Sequence, residues 1–447
     1  MKNYTIIGAG LAGSLMSIML AKRGHKVKVY EKRPDMRLEE ISAGRSINLA
    51  LSDRGIAALE RAGVADTVLK EVIPMKGRLI HSTEGDKQIQ PYSGREGEWI
   101  NSVSRGGLNM TLMDVAEATG NVEFEFEVGC KRIDFEDNKI TIEKADRQSS
   151  RVEEFETIIG ADGAGSYVRL AYQLGGIKRF NFSQQFLDHG YKELEIPPAE
   201  GGGYRIADDA LHIWPRGTFM MIALPNMDGS FTCTMFMPFE GEVGFESLDT
   251  REKVAEFFDE YFPDAVQHMP TLLDDFFTNP HDKLGTIKCY PWAIGGKSVL
   301  IGDSAHAVVP FYGQGMNASF EDCRVLDEIL EKYDDDTEKA YTEFEKVRKA
   351  DADAIGDLAV QNYFEMRDHV AHKDFQIKRD IELDLEKNHN YNSKYALVTF
   401  CEDIGYNVAK RKGELQDELL LKLIAEGKHK ELRNEEILKI IETEIKI

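Results

Sequence analysis

Thr5-Ile-Ile-Gly-Ala-Gly-Leu-Ala-Gly13 runs a short apolar strand straight into a turn with glycines at positions 8, 10 and 13. That spacing predicts a tight turn at Gly8, close backbone approach to a pyrophosphate at Gly10, and helix-on-strand packing at Gly13. Leu11 to Arg23 reads as the helix that follows, with Leu11, Met16, Ile18, Met19 and Leu20 as its apolar surface. Its first residues, Leu11 and Ala12, present free N–H groups and a partial positive charge to an anion. Lys26 to Tyr30 alternates as a second strand. Glu31 ends it, about twenty residues after the turn, where a dinucleotide ribose needs an acceptor. An acid there favours an unphosphorylated ribose, so FAD or NAD rather than NADP. Lys32 and Arg33 follow it and count with the same cofactor contacts.

Two later segments extend the pattern. Asp162-Gly-Ala-Gly-Ser-Tyr-Val-Arg169 follows the strand Phe155 to Gly160. Gly302-Asp-Ser-Ala-His306, continuing through Pro310 to Gly313-Gln-Gly315, follows the strand Val299 to Ile301. Asp162, with Gly163, and Asp303 thus sit at the carboxyl ends of predicted parallel strands, where open α/β sheets bind ligands. Asp303 is placed to accept from a ribitol hydroxyl of FAD; the plainer reading of either aspartate is a helix N-cap. Gly313-Gln314-Gly315, with Met316 and Asn317 behind it, opens a helix whose N–H groups can face the negative charge of a reduced flavin ring. Arg105, at the start of a helix, can reach the pyrophosphate; the bland reading is a surface arginine. The three segments in this order point to an FAD enzyme.

The composition fits. With 42% hydrophobic and 30% charged residues, 447 residues make a soluble globular protein of two or three domains. The balance of 55 basic against 78 acidic side chains, −23 at pH 7, argues against nucleic acid or an anionic membrane as partner. Cys130, Cys233, Cys289, Cys323 and Cys401 are widely spaced, with no CxxC, so neither a zinc site nor a disulfide framework is expected. Reduced thiols suit the cytoplasm. Met1-Lys-Asn-Tyr4 enters a strand without a signal-peptide pattern, and no apolar run approaches the ~20 residues that span a bilayer. A soluble monomer or homodimer is expected.

The predicted fold class is α/β: a Rossmann-like FAD-binding domain with an inserted, mostly β substrate domain and a C-terminal helical region. The expected boundaries are 1–71, 101–175 and 293–330 for the first, 72–100 and 176–292 for the second, and 331–447 for the third. Arg54 to Ala62 and Leu108 to Ala118 read as helices, and Glu123 to Val128, Lys131 to Phe135 and Lys139 to Glu143 as a strand meander. In the inserted domain His212 to Trp214, Phe219 to Leu224 and Phe231 to Phe236 read as strands, with Asn226-Met-Asp-Gly229 as a hairpin loop. Asp334-Asp-Asp336 reads as a solvated loop between helices. Residues 413–447 read as a charged amphipathic tail whose apolar stripe either caps the pocket or pairs with another chain.

As a set, GxGxxG, DGxxSxVR and GDxAH…P…GQG resemble the group A FAD-dependent aromatic hydroxylases, over most of residues 1–330. The resemblance narrows to the branch that hydroxylates kynurenine. The segments carrying it are Arg45-Ser-Ile-Asn-Leu-Ala-Leu-Ser52, Met75-Lys-Gly-Arg-Leu-Ile-His81, Gln90-Pro-Tyr92 and His212-Ile-Trp-Pro-Arg216. Met220 to Asn226, Pro310 to Asn317 and Asn362-Tyr-Phe-Glu-Met-Arg367 add to them. The resemblance implies that NADPH reduces FAD, that O2 forms a flavin C4a-hydroperoxide, and that one oxygen passes to the ring of L-kynurenine beside its amine. It implies no protein nucleophile and no metal, because the flavin carries the chemistry. A second GxGxxG for NADPH is not expected in such enzymes, and none follows a strand here.

Carried over residue by residue, the family pattern places the substrate carboxylate on Arg78 and Tyr92. A guanidinium gives bidentate, charge-assisted bonds to a carboxylate, and a phenol adds a third. Asn362 matches the family's amide near the amino-acid head of the substrate, and Tyr395, before Ala396 to Phe400, matches its C-terminal tyrosine. Leu211, Met220, Ile222, Leu224, Phe236, Pro310 and Phe311 would form the walls; Met220, Ile222 and Leu224 alternate, as one strand face does. Each also has an ordinary reading as core or surface. His306 reads as a structural histidine rather than a base. Tyr312 stands where the family varies, which leaves pocket polarity there open. Unlike membrane-anchored relatives, the charged residues 413–447 cannot span. The competing readings are a hydroxylase of another aromatic acid, of the hydroxybenzoate or salicylate type, an isoprenoid-reducing flavoenzyme, and a non-catalytic flavoprotein sensor.

Overall fold

Strand β1 (Asn3–Ile7) sits inside a six-stranded sheet with β2 (Lys26–Tyr30), β8 (Val122–Glu125), β12 (Thr157–Gly160), β18 (Ala293–Ile294) and β19 (Ser298–Leu300). The order is β18-β19-β12-β1-β2-β8, and all pairs except β18–β19 are parallel. Ile6, Val29, Ile158 and Val299 are fully buried, as strands covered on both faces require. The structure is a computed structural model that describes residues 1–38, 48–175, 177, 179–366 and 373–446. Arg45, Ser46, Ile47 and Arg367 of the family-like segments, and Ile447 of the tail, lie outside the described residues.

Helices α1 (Leu11–Lys22), α4 (Arg105–Ala118), α5 (Tyr167–Leu174) and α10 (Gly315–Lys332) pack around this sheet, with α2 (Asp53–Arg61) and α3 (Ala65–Val68) beyond. Ser104 caps α4 by accepting from Gly107 N, which starts that helix at Arg105 instead of Leu108. Two small sheets flank the core: β3 (Asn48–Leu51), β7 (Ile100–Ser104) and β4 (Ile73–Met75), and an antiparallel β9 (Val128–Asp134), β10 (Lys139–Lys144) and β11 (Ser150–Glu154). The strand expected to open that meander is β8, which instead pairs parallel with β2.

The second large sheet has seven strands in the order β17-β13-β16-β15-β14-β5-β6. These are β5 (Gly77–His81), β6 (Lys87–Pro91), β13 (Asn181–Ile196), β14 (Ala210–Arg216), β15 (Phe219–Pro225), β16 (Phe231–Pro238) and β17 (His281–Tyr290). One face packs on α6 (Arg251–Tyr261), α7 (Pro263–Val266) and α8 (Leu272–Thr278) through Phe231, Phe257, Phe258, Phe262 and Phe276. These helices lie inside the stretch read only for its β texture. The other face looks toward the first sheet across a cavity.

After the short α9 (Asp303–His306), the chain beyond Gly315 is helical: α10, α11 (Thr337–Phe364), α12 (Lys373–Asn388), α13 (Lys394–Thr399), α14 (Tyr406–Ala425) and α15 (Asn434–Glu444). The acidic loop is not merely solvated. Asp336 caps α11 through Lys339 N, and Asp335 pairs with Arg23 at 2.6 Å and His25 at 3.0 Å. The tail's apolar stripe packs within its own chain: Leu419, Leu420, Leu423 and Ile424 meet Ile381, Leu385, Tyr391, Ile437 and Ile441. No helix among the described residues is long and apolar enough to cross a membrane.

Candidate active site

A cavity of about 510 Å³ separates the two large sheets. Its first end is built from turns. Gly8 has φ +102°, and a Cβ there would stand 2.5 Å from Ala161 O; one at Gly13 would stand 2.0 Å from Gly8 O. Both glycines therefore serve the packing of β1, α1 and the segment after β12. Gly10 differs, because a Cβ on it would meet no protein atom within 4 Å and would project into the cavity it lines. Gly163, Arg105, Asp303 and Gly313 to Met316 face the same space.

Asp303 makes no hydrogen bond or ion pair among the described residues. Its carboxylate faces open cavity deep in the protein, and burial raises its pKa. Asp162 behaves otherwise: it accepts from Tyr167 N at 2.6 Å and Val168 N at 3.2 Å, so it holds the start of α5 and does not line the cavity. Glu31 is buried behind the glycine turn, accepting from Ala9 N at 2.9 Å and from Arg33 N and Nε at 3.0 and 2.8 Å. Burial alone would raise its pKa, but Arg33 and these N–H donors hold it below the ordinary value. Lys32 and Arg33 are exposed. Asn317 ties α10 to β3, accepting from Ser52 N and donating to Ala50 O and Gly313 O. Gln314 accepts from the Tyr406 hydroxyl at 3.0 Å. His306 stacks on Trp292 and is locked to Asp322, which also accepts from Gly302 N and Arg348 Nε, in keeping with a structural role.

At the other end Arg78 projects from β5 among three tyrosines. Its guanidinium carbon lies 5.4 Å from the Tyr92 ring centre and 4.8 Å from that of Tyr395. Tyr395 stacks between Tyr92 and Tyr312, at 5.4 and 5.7 Å. Arg78 has no ion-pair partner among the described residues, and the buried Tyr92 hydroxyl lies beside it with no well-formed hydrogen bond of its own. Burial drives the Tyr92 and Tyr395 hydroxyls above their ordinary pKa, so both are neutral donors. A guanidinium and a phenol left unsatisfied together mark a place for a carboxylate.

Between the two ends Leu211, Met220, Ile222, Leu224, Phe236, Pro310 and Phe311 line the cavity. Sheet register accounts for the grouping: Met220 opposes Phe236, which opposes Tyr191, and Leu211 opposes Arg78. Tyr191, like Leu284 and Ile287, lines the cavity without having been singled out from sequence, and Asn48 to Ala50 of β3, quoted above only for the resemblance, line it too. The register with Met220 is the signal that finds Tyr191. Asn362 is not on the main cavity. Its amide donates to Phe311 O at 2.6 Å, and it borders a water-sized side pocket of about 30 Å³ shared with Arg78, Tyr92, Tyr312 and Tyr395.

A glycine cradle, a helix N-terminus at Gly315 and an unpartnered carboxylate at Asp303 fit a flavin nucleotide. The fold and site thus define an FAD-dependent monooxygenase of the aromatic hydroxylase class. A family model for an FAD binding domain matches residues 3–338. A kynurenine 3-monooxygenase of Myxococcus xanthus (strain DK1622) is 46% identical over 94% of this chain and 90% of its own. One from Dictyostelium discoideum is 47% identical, over 95% and 93%. The chain belongs to the kynurenine 3-monooxygenase family. Solved structures with the same fold include a tetrameric 2-methyl-3-hydroxypyridine-5-carboxylic acid oxygenase, with TM-score 0.65 and 22% identity over 89% of this chain and 95% of that one. Another is the p-nitrophenol 4-monooxygenase PnpA of Pseudomonas putida DLL-E4, with TM-score 0.68 and 15% identity over 91% and 99%.

Proposed function

We propose that the protein hydroxylates L-kynurenine to 3-hydroxy-L-kynurenine, consuming NADPH, a proton and O2 and releasing NADP+ and water. The observation that carries this reading is Arg78: a guanidinium with no anionic partner among the described residues, at the far end of an apolar slot from the flavin cradle. Bound FAD, reduced by NADPH, supplies the activation of O2.

The chain's own residues do the rest. Arg78 and the Tyr92 hydroxyl hold the substrate carboxylate, and Tyr395 stacks behind the guanidinium. Met220, Ile222, Leu224 and Phe236 fix the aromatic ring in the slot and exclude water, which keeps activated oxygen from being released as peroxide. Asn362 acts one step back, holding Phe311 through its carbonyl. Gly10 leaves room for the pyrophosphate, with Arg105 and the Leu11–Ala12 helix start beside it. Asp303 would accept from the ribitol chain, and the N–H groups at Gly315 and Met316 would offer their partial positive charge to the ring. Glu31 stands behind the turn on the ribose side. All five cysteines are free thiols, which suits a cytoplasmic enzyme.

The test is NADPH oxidation by the FAD-loaded protein with and without L-kynurenine, with the product weighed. Strong stimulation and a product one oxygen heavier support the reading. Stimulation without a heavier product would make kynurenine an effector and another aromatic acid the substrate.

A further inference from the structure

Two histidines from family-like segments have no place in the site, yet they meet behind it. His81 ends β5, the strand of Arg78, and His212 follows Leu211 on β14; both are buried, as is Trp214. The His81 ring stacks on Trp214 at 4.1 Å. A continuous chain of contacts runs through the pair: Asp264 Oδ2 to His81 Nδ1 at 2.5 Å, His81 Nε2 to His212 Nδ1 at 2.8 Å, and His212 Nε2 to Ala207 O at 2.7 Å. Trp214 Nε1 donates to the other oxygen of Asp264 at 2.9 Å.

Proton counting decides the state of this chain. A backbone carbonyl only accepts, so His212 Nε2 carries a proton. An ionised carboxylate only accepts, so His81 Nδ1 carries one. The contact between the rings needs a third. Two neutral imidazoles hold two protons between them. We propose that His81 and His212 hold three ring protons and that this single buried charge, locked to Asp264, positions β5 and with it Arg78.

The surroundings agree. Burial pushes His212 down to about 4, which keeps that ring neutral. Burial would raise Asp264, but its bonds to His81 and Trp214 bring it below the ordinary value. Lys87 on β6, Arg216 on β14 and His268 after α7 also act on the cluster, while Glu84, in the turn between β5 and β6, acts on Arg216 and Arg205, in the loop before β14, acts on His268. Arg216 also donates to His81 O at 2.9 Å. β5 needs such a hold. It lies one strand from the sheet edge, and only the five-residue β6 lies outside it.

Asp264→Asn is a near-isosteric test. Its amide oxygen can still accept from Trp214 while its nitrogen donates to His81 Nδ1, so the chain closes with a neutral pair. The experiment is nitrogen NMR of FAD-loaded protein labelled at histidine and arginine, before and after this substitution. The natural protein should show both ring nitrogens of His81 protonated and one of His212; Asp264→Asn should show one on each. As pH rises and the third proton leaves, the Arg78 Nε–H resonance, assigned with Arg78→Lys, should move in the natural protein and stay fixed in Asp264→Asn. The L-kynurenine dissociation constant should weaken at least threefold over the same range, again only in the natural protein. One proton on each ring in the natural protein, or Arg78 signals with the same pH course in both proteins, overturns the proposal. The binding arm alone rests on the proposed substrate; failure of L-kynurenine to bind would sink that reading while the resonances still decide this one.

Discussion

Arg78→Lys should separate substrate binding from turnover. The guanidinium lies 4.8 Å from the Tyr395 ring centre and 5.4 Å from that of Tyr92, with no carboxylate of the described residues paired to it. Lysine keeps the charge and part of the attraction to the rings. It loses the planar fork, so two parallel charge-assisted bonds become one point contact. The loss is about 1.5–3 kcal/mol, or roughly 10- to 150-fold in the dissociation constant. Tyr92→Phe is the companion, removing a hydroxyl that has no protein partner; the loss of its bond to the carboxylate should cost about 1 kcal/mol, or roughly fivefold. Binding is read from the flavin absorbance change as L-kynurenine is titrated without O2, and kcat from NADPH oxidation at saturation. KM and the dissociation constant should rise together while kcat stays within a few fold. A dissociation constant within twofold of the natural protein, with FAD retained, would remove Arg78 from the site.

The glycine turn gives a paired test: Gly10→Val adds a side chain to open cavity, so FAD retention should fall while the melting temperature of the FAD-free protein holds. Gly13→Ala drives a methyl against Gly8 O and should lower that melting temperature, at a cost of about 1–3 kcal/mol; the opposite pattern would refute this division of roles. Asp322 provides a pH test. Burial would raise it, but His306 and Arg348 hold it at about 2, against an ordinary 3.8. Because the folded value is depressed, its stabilisation is complete above roughly pH 4 and lost as pH falls toward 2, about 2 kcal/mol in all. Denaturant unfolding of Asp322→Asn should show a lower stability at neutral pH and lack that part of the acid dependence; an unchanged slope between pH 4 and 2 would refute it.

What the sequence carried was local. GxGxxG followed by a helix, a strand and an acid specifies a turn within one short segment, and every link appears between β1 and β2. Asp162 and Asp303 show the limit. Both follow a parallel strand beside a glycine, yet Asp162 turns back on the N–H groups of Tyr167 and Val168 while Asp303 faces the cavity. Which of the two happens depends on where the next helix points. The α6 helix was legible and missed: Val254, Phe257, Phe258 and Phe262 recur at helical spacing, hidden by aromatic residues that read as β. For Glu123 to Val128 the strand was right in kind, but its partner was set by a non-local choice between β2 and β9. Arg78 could be placed only by resemblance, since nothing near it in sequence distinguishes a ligand-facing arginine from a surface one.

The C-terminal helices belong to the site rather than merely adjoining it. Tyr395 stacks on Tyr92 from α13, and Tyr406 donates to Gln314 from the start of α14, so one short segment touches both ends of the cavity. That segment is held by Arg54 of α2. Its guanidinium is fully buried, donates to the carbonyls of Leu397, Val398 and Ile404, pairs with Glu321 at 3.0 Å and lies 4.0 Å from the Tyr406 ring centre. A buried charge with this many partners stays paired, because losing any one exposes the full desolvation cost of the rest. Carbonyls at the end of a helix are otherwise unsatisfied, and here they are the anchor. The first sheet therefore does two jobs through neighbouring elements. Its turns shape the cofactor cradle, and α2 fixes the distant tyrosine that stacks behind Arg78. The two ends of the cavity are thus mechanically joined through residues 395–406, about four hundred positions away from the turn at Gly8 that decides the fold.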